Sequence, residues 1–333
     1  MAPHPQKLTV TRRAWPLARP LMTPHGVQTA AETVVAELSD VESRGRGECV
    51  PLARYGESTD SVVAALEAIK GAVFSGLNRD TLQQAMPPGA ARNALDCAFW
   101  DMDAKRAYRS VAQLAGLGAA APLLTALSIA FDTPDKMAEL AAAHRTRPLI
   151  RLELCGDGDI ERVRAVRQAA PAARLIVDAN ESWSEAQLRD YLPMLVDLRV
   201  ELVEQPLPAD ADDALARLEH LIPLCADESC RTRADLDRLD GKYQAINIKL
   251  GKAGGLTDAL ALAAEAKRRG LRILVGGAIS TSLGIAPALL VAQQAEIVDL
   301  DGPLRLAMDR GAGLRYDGGT IHPADPTLWG GPG

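Results

Sequence analysis

The chain has 333 residues, 47% of them hydrophobic, and a formal net charge of −6. That length allows one large core and a smaller second one, and the mildly acidic balance without a dense basic run argues against nucleic acid as a partner. No apolar run reaches the length of a membrane span and no apolar signal core opens the chain; with five cysteines and no C-x-x-C pair, the expectation is a reduced, cytoplasmic protein.

Residues 1–120 read as a separate α+β layer. Lys7 to Trp15, Thr33 to Leu38 and Gly47 to Val50 alternate as the strands of an antiparallel meander, with a turn expected over Ser43-Arg-Gly-Arg-Gly47. Arg19 to Gly26, which includes His25, carries Pro and Gly and reads as a loop. Ser58 to Ala72 and Ala90 to Tyr108 have helical periodicity, the second starting after Pro87-Pro88-Gly89.

From Thr125 the pattern changes. Apolar runs recur at Thr125–Ile129, Leu149–Leu154, Leu175–Val177, Val200–Val203, Leu224–Ala226, Ala245–Lys249, Arg272–Val275 and Ile297–Leu300. Their starts lie roughly 25 residues apart, the size of a βα unit. Polar-faced helical segments separate them, such as Asp159–Ala169, Glu185–Leu195, Asp210–Leu218 and Thr257–Arg268. Eight such units imply a (β/α)8-type TIM barrel over 121–315, capped by the N-terminal α+β domain. An open doubly wound sheet is the alternative, but no glycine-rich phosphate turn follows the first strand. The tail, 316–333, is expected to pack on the cap or the barrel mouth.

Three barrel runs end in an acid: Asp178, Glu204 and Asp227, spaced 26 and 23 residues apart. On consecutive parallel strands these carboxylates project from one rim, where barrel active sites lie. Three hard oxygen ligands point to Mg²⁺ rather than zinc, and no histidine ends a barrel strand. The acids could instead cap the following helices, but Ser182-x-x-Glu185 already offers a capping box. Lys249 ends strand six. A lysine there is costly unless paired or functional, and a nearby cation with partial desolvation would lower its pKa toward that of a general base. On strand eight, Asp299 and Asp301 share a face and could hold a cationic substrate group away from the metal.

Together these residues resemble the enolase superfamily, muconate-lactonising subgroup, and dipeptide epimerases of the L-Ala-D/L-Glu type in particular. The likeness covers nearly the whole chain. Arg46-Gly-Glu48-Cys-Val-Pro51, Arg54-Tyr-Gly-Glu57 and Ala91-Arg-Asn-Ala-Leu-Asp96-Cys-Ala-Phe-Trp100-Asp101 look like that family's capping domain. The resemblance implies that Asp178, Glu204 and Asp227 hold Mg²⁺, that Lys249 is a strand-six base, and that Asp299-Leu-Asp301-Gly-Pro303 holds a dipeptide's ammonium group. It implies a small-molecule substrate, a dipeptide or amino-acid-like carboxylate, and a possible homo-oligomer. In enolase-superfamily sites a Lys or His acts as base while Mg²⁺ stabilises an ene-diolate.

Strand two departs from the family's K-x-K: it reads Arg151-Leu-Glu153. Arginine stays protonated and cannot be a base; Glu153 beside a metal would be a weak base or an extra ligand. His25 stands where the family offers an arginine toward the substrate, Gly251 replaces an acid, and Gly276-Gly-Ala-Ile-Ser280 replaces a bulkier strand end. Three readings stay open: an epimerase with an altered second base, a one-base enzyme of elimination or cycloisomerisation type, and a catalytically inactive metal-binding paralogue.

Overall fold

In the computed structural model, which describes residues 6–23 and 26–332, β1 (Lys7–Thr23), β2 (Gly26–Ser39) and β3 (Arg44–Cys49) form an antiparallel sheet in that order. Period-two alternation places Val34, Ala36 and Leu38 in one core with Leu8. The stretch expected as a loop is largely strand: Leu21 to Thr23 pair with Gly26 to Gln28 beyond an irregularity between Pro16 and Leu21. β1 is an edge strand, so its prolines break the ladder without ending it. His25 lies outside the described residues.

The turn between β2 and β3 is earlier than expected. Asp40 Oδ1 accepts from Glu42 N (2.9 Å) and Ser43 N (2.7 Å), and Arg44 onward is strand. The glycines there serve close packing rather than turning. A Cβ on Gly45 or Gly47 would lie 2.1 Å from a backbone oxygen, that of Ala98 or Ala94. Those carbonyls belong to α4 (Ala90–Arg106), the long helix that covers the sheet. Before it, the helix expected over 58–72 is split at Ile69 into α1 (Thr59–Ala68) and α2 (Lys70–Phe74). An unforeseen α3 (Arg79–Ala85) follows, capped by an Asn78–Thr81 box.

After α5 (Val111–Leu114) and the short β4 (Leu123–Leu124), eight parallel strands pair in sequence order. They are β5 (Leu127–Ile129), β6 (Leu149–Glu153), β7 (Arg174–Asp178), β8 (Val200–Glu204), β9 (Leu224–Ala226), β10 (Ala245–Ile248), β11 (Arg272–Gly276) and β12 (Ile297–Asp299). Ala126 N donates to Val298 O (2.8 Å) and brings the two ends of the sheet together. The expected barrel is therefore present. Outside it run α6 (Pro134–Ala143), α7 (Asp159–Ala169), α8 (Glu185–Asp197), α9 (Leu250–Ala253), α10 (Leu256–Arg268), α11 (Ser282–Ile285) and α12 (Ala288–Ala292). The segment expected as a helix over 210–218 is a 3₁₀ turn, Asp212–Arg217. The α8 cap is also shifted: Ser184 boxes with Gln187, while Ser182 Oγ donates to Ala179 O.

Inside the barrel, Ala126, Leu149, Ile176, Leu202, Cys225, Ala245, Leu274 and Ile297 form a closed apolar plug, one residue per strand position. Side chains alternate, so the residues two further along face the same interior at the next level up. Those are Ser128, Arg151, Asp178, Glu204, Asp227, Asn247, Gly276 and Asp299. The change from apolar to polar between these layers defines the floor of the site.

In the tail, β13 (Tyr316–Asp317) and β14 (Thr320–Ile321) pair with β4 beneath the barrel. The last residues dock on the cap: Trp329 Nε1 donates to Cys97 O (3.1 Å) and Gly330 N to Asp101 Oδ1 (2.8 Å).

Candidate metal and catalytic site

Asp178, Glu204 and Asp227 end three neighbouring strands, and their nearest carboxylate oxygens all lie within 4.8 Å of one another. All three are buried. Burial, then the adjacent Glu204, pushes the Asp178 carboxyl well above its usual range. The carboxylates repel one another in the absence of a balancing charge.

Protein cations enter the ring from both sides. Arg151 contacts Asp178 and Glu153, donates to Glu204 Oε2 (3.0 Å), and lies 3.4 Å from Asp299 Oδ2. Lys249 and Lys252 take one oxygen each of Asp227. Five carboxylates thus meet three cations, an excess of two negative charges in formal terms, which suits a divalent ion. Asn247 donates to Glu204 through Nδ2, but its Oδ1 and Glu228 Oε2 are buried without a hydrogen-bond partner. Buried acceptors of this kind require a donor or cation from outside the protein. The residues present therefore fit a hard divalent cation.

Strands β6 and β10 lie on opposite sides of the acidic trio and half-way round the ring from each other. Their terminal side chains, Glu153 and Lys249, are each 26% exposed, whereas the three acids and Arg151 are 5% exposed or less. Glu153 and Lys249 thus reach the mouth while the others line its floor. Burial opposes the charge on Lys249, but Asp227 and then Glu204 outweigh it and hold the ammonium well above its usual pKa. With protein groups alone the shift is upward, not the downward one expected from a cation neighbour. Burial likewise opposes ionisation of Glu153, and Arg151 outweighs it and keeps the carboxylate charged. Asn180 Nδ2 donates to Glu153 Oε2 (2.8 Å) from the end of β7, where Asn180 and Glu181 both have positive φ.

Asp299 and Asp301 converge on one residue. Ser128 Oγ donates to Asp299 Oδ1 (2.6 Å) and Ser128 N to Asp301 Oδ2 (2.8 Å). Asp299, expected to lie away from the acidic trio, instead lies close to it, because Arg151 links the two. Burial, then Asp299, pushes Asp301 up to about 7.

Four contributors escaped the sequence reading. Lys252 is buried and also donates to the carbonyls of Cys230 and Asn247 (3.0 Å each). Gln205, with φ +34°, accepts from Asp227 N (2.9 Å) and Ser229 N (3.1 Å), and so fixes the strand end that carries the third acid. Asn247 and Ser128 lie two residues inside Lys249 and Ala130, and period-two counting along those strands would have found them.

The cap completes the mouth. Arg54 Nε and Nη2 grip Glu181 (2.7 and 2.9 Å), Thr281 N donates to Glu48 Oε1 (2.9 Å), and Arg92 Nη2 donates to Ala253 O (2.8 Å). Each bond joins a cap motif to a barrel loop at the carboxyl end.

A parallel barrel with three converging carboxylates, a lysine at their side and an α+β cap defines a metal-assisted enzyme that handles carboxylate substrates. The chain belongs to the enolase superfamily. Residues 6–116 match the mandelate racemase / muconate lactonizing enzyme N-terminal domain, and residues 135–326 match the enolase C-terminal domain-like family. It is 44% identical over 315 residues to an L-Ala-D/L-Glu epimerase of Escherichia coli K12, covering 94% of this chain and 98% of that one. It is 42% identical over 300 residues to an N-acetyl-D-glutamate racemase of a Pseudoalteromonas species, covering 90% and 95%. Among solved structures, it resembles an enolase family member from Agrobacterium tumefaciens with homology to dipeptide epimerases, which holds sodium and L-Ala-L-Glu. That match has 48% identity, a TM-score of 0.95, and covers 98% of this chain and 100% of the other. A dipeptide epimerase from Cytophaga hutchinsonii, complexed with Mg and D-Ala-L-Val, matches at 25% identity and TM-score 0.90, covering 99% and 96%. No helix among the described residues is long and apolar enough to cross a membrane.

Proposed function

We propose that the protein is a Mg²⁺-dependent dipeptide epimerase of the L-Ala-D/L-Glu type. The observation that carries this reading is the placement of Lys249 beside the trio Asp178, Glu204 and Asp227, with Asp299 and Asp301 gathered on Ser128 across the mouth. The trio would hold the divalent cation. When bound, that cation supplies charge neutralisation for the substrate carboxylate as the α-proton leaves. Lys249, in the neutral form that a cation bound at Asp227 and Glu204 would favour, takes that proton from the β10 side. Asp299 and Asp301 hold the free ammonium and so favour a dipeptide over an N-acylated amino acid. His25, outside the described residues, is proposed to contribute to substrate binding. Arg151 stays charged and orients Glu153, which stands where a second base would act. The likeness to an L-Ala-D/L-Glu epimerase, and to an enolase family member that holds L-Ala-L-Glu, supports the same chemistry.

A one-base reading also has an observation behind it. Glu153 is tied to Arg151 and Asn180, so it is a poor substitute for a lysine. In that case Lys249 exchanges the α-proton of one epimer without inversion, and loss of the second base costs about 10²–10⁴-fold in inversion. Residues 1–120 serve as the cap in either case. The free state of all five cysteines and the acidic charge support a cytoplasmic enzyme of small molecules.

Incubation with Mg²⁺ and L-Ala-L-Glu in D₂O, followed by NMR of the α-protons, tests this directly. Exchange with inversion supports the epimerase. Exchange with retained configuration supports the one-base reading. A silent wild type beside an active Arg151→Lys, Glu153→Lys double variant identifies an epimerase scaffold that has lost its strand-two base. Silence in both overturns the substrate assignment.

A further inference from the structure

A cavity of about 670 Å³ opens beside the carboxylates and is unused by the chemistry above. Leu17 and Leu21 of β1, Ile129, Phe131, Leu140 and Leu304 are among the residues that line it. Its walls are tied down. Leu17 forms an antiparallel bridge with Leu306, Ala307 N donates to Pro16 O (2.8 Å), and Arg305 Nη2 donates to Ser128 O (2.6 Å). Ser128 and Asp301 also line it, so its inner end is continuous with the group that gathers the two aspartates.

We infer that this cavity receives the side chain of the substrate's N-terminal residue, and that the protein takes dipeptides carrying a large apolar or aromatic residue there. The inference rests on the dipeptide reading. An ammonium held at Asp299 and Asp301 leaves its own α-carbon one bond away. The carbonyl arm of that residue runs toward the acidic trio, and the side chain is left facing the cavity. Beside Lys249, a second pocket lined by Gly276, Gly277 and Ser280 offers only about 50 Å³. A volume of several hundred Å³ with mostly apolar walls is that of a small-molecule site. Alanine would leave nearly all of it filled with water, whereas a phenyl ring would cover Ile129, Phe131 and Leu140. The charged lining groups include both signs, Lys136 and Arg19 against Asp132 and Glu139, so no net field favours a charged side chain.

Calorimetric titration of the Mg²⁺-loaded full-length protein with L-Ala-L-Glu and with L-Phe-L-Glu tests this, because binding is read whether or not turnover occurs. The phenylalanine dipeptide is expected to bind about tenfold tighter or better, the order of gain for added apolar groups in a fitted pocket. Leu140→Trp and the more exposed Leu304→Trp, which fill the cavity from two different elements, are each expected to cut that preference. A phenylalanine dipeptide that binds no tighter than L-Ala-L-Glu, or a preference unchanged in both folded variants, overturns the inference while leaving the dipeptide reading in place. Binding of neither peptide overturns both.

Discussion

Asp96 of the cap accepts hydrogen bonds from both the backbone N–H (3.0 Å) and the hydroxyl (2.6 Å) of Thr257 in the first turn of α10. The helix's own N-cap is Gly255, which has no side chain to do this. A carboxylate from another layer therefore satisfies and charges the helix start. It also fixes the segment that follows Lys249. Gly254 and Gly255, both at positive φ, allow the approach: a Cβ on Gly255 would lie 2.5 Å from the Asp96 side chain. Asp96→Ala is expected to cost about 2–3 kcal/mol, the size of a buried donor left unpaired plus a lost cap. Urea unfolding of the pure variant measures it, and a change below about 0.5 kcal/mol contradicts the role.

Gly276 controls the position of Lys249, the proposed base. A Cβ there would lie 2.8 Å from Asn247 Oδ1 and 3.2 Å from Lys249 Cε. Gly276→Ala should displace Asn247 and shift Lys249 slightly while leaving the fold intact, since the φ of Gly276 is not in the left-handed range. A displacement of about 1 Å is worth about 10²-fold in rate, and the smaller shift here is expected to cost roughly several-fold to tenfold. Steady-state kinetics should place the loss in kcat rather than KM, with a melting temperature close to wild type.

Substrate binding should depend on pH through Asp301. Burial, then Asp299, sets that carboxyl at about 7 in the free protein. An ammonium partner requires the ionised form, so the bound carboxyl titrates lower. Affinity for L-Ala-L-Glu is therefore expected to fall as pH drops through 7 toward 6, and to fall again above about 8, where the dipeptide's own α-ammonium loses its proton. Titration calorimetry at several pH values gives the profile. In Asp301→Asn the affinity should be weaker throughout and the inflection near 7 absent; an inflection that survives the substitution assigns it to another group.

Divalent metal should stabilise the fold. The acidic trio gathers charge that the protein's own cations do not fully balance. At a Mg²⁺ concentration one hundred times Kd the gain is about 2.7 kcal/mol, visible as a higher melting temperature that chelator reverses. Asp178→Asn removes one ligand charge and should abolish most of the shift. A shift equal to wild type would place the ion elsewhere.

Much of the architecture was legible in the order of residues. The eight apolar runs at βα spacing implied a barrel, because a buried parallel strand is apolar along its length and each crossover needs a helix. Acids at the ends of three successive runs implied a common rim, since parallel strands all finish on the same side. What misled were local signals outweighed by packing. Gly45 and Gly47 looked like turn residues and are instead contact points for α4. The prolines of β1 looked like a loop and lie on an edge strand.

Only the tertiary structure decided the roles that depend on distance between strands. Arg151 and Glu153 appeared in sequence as two altered positions. In space, Arg151 joins Asp178 and Glu204 to Glu153 and Asp299, while Glu153 alone of that pair reaches the mouth opposite Lys249. Lys252 and Gln205 carry no signature in their neighbours along the chain. Each acts on Asp227 through groups that the barrel's curvature brings together. Periodicity reports which face a residue takes, and it does so from the neighbours along one strand. Which charges then meet across the barrel depends on strand order, stagger and closure, and those are set by the whole sheet at once.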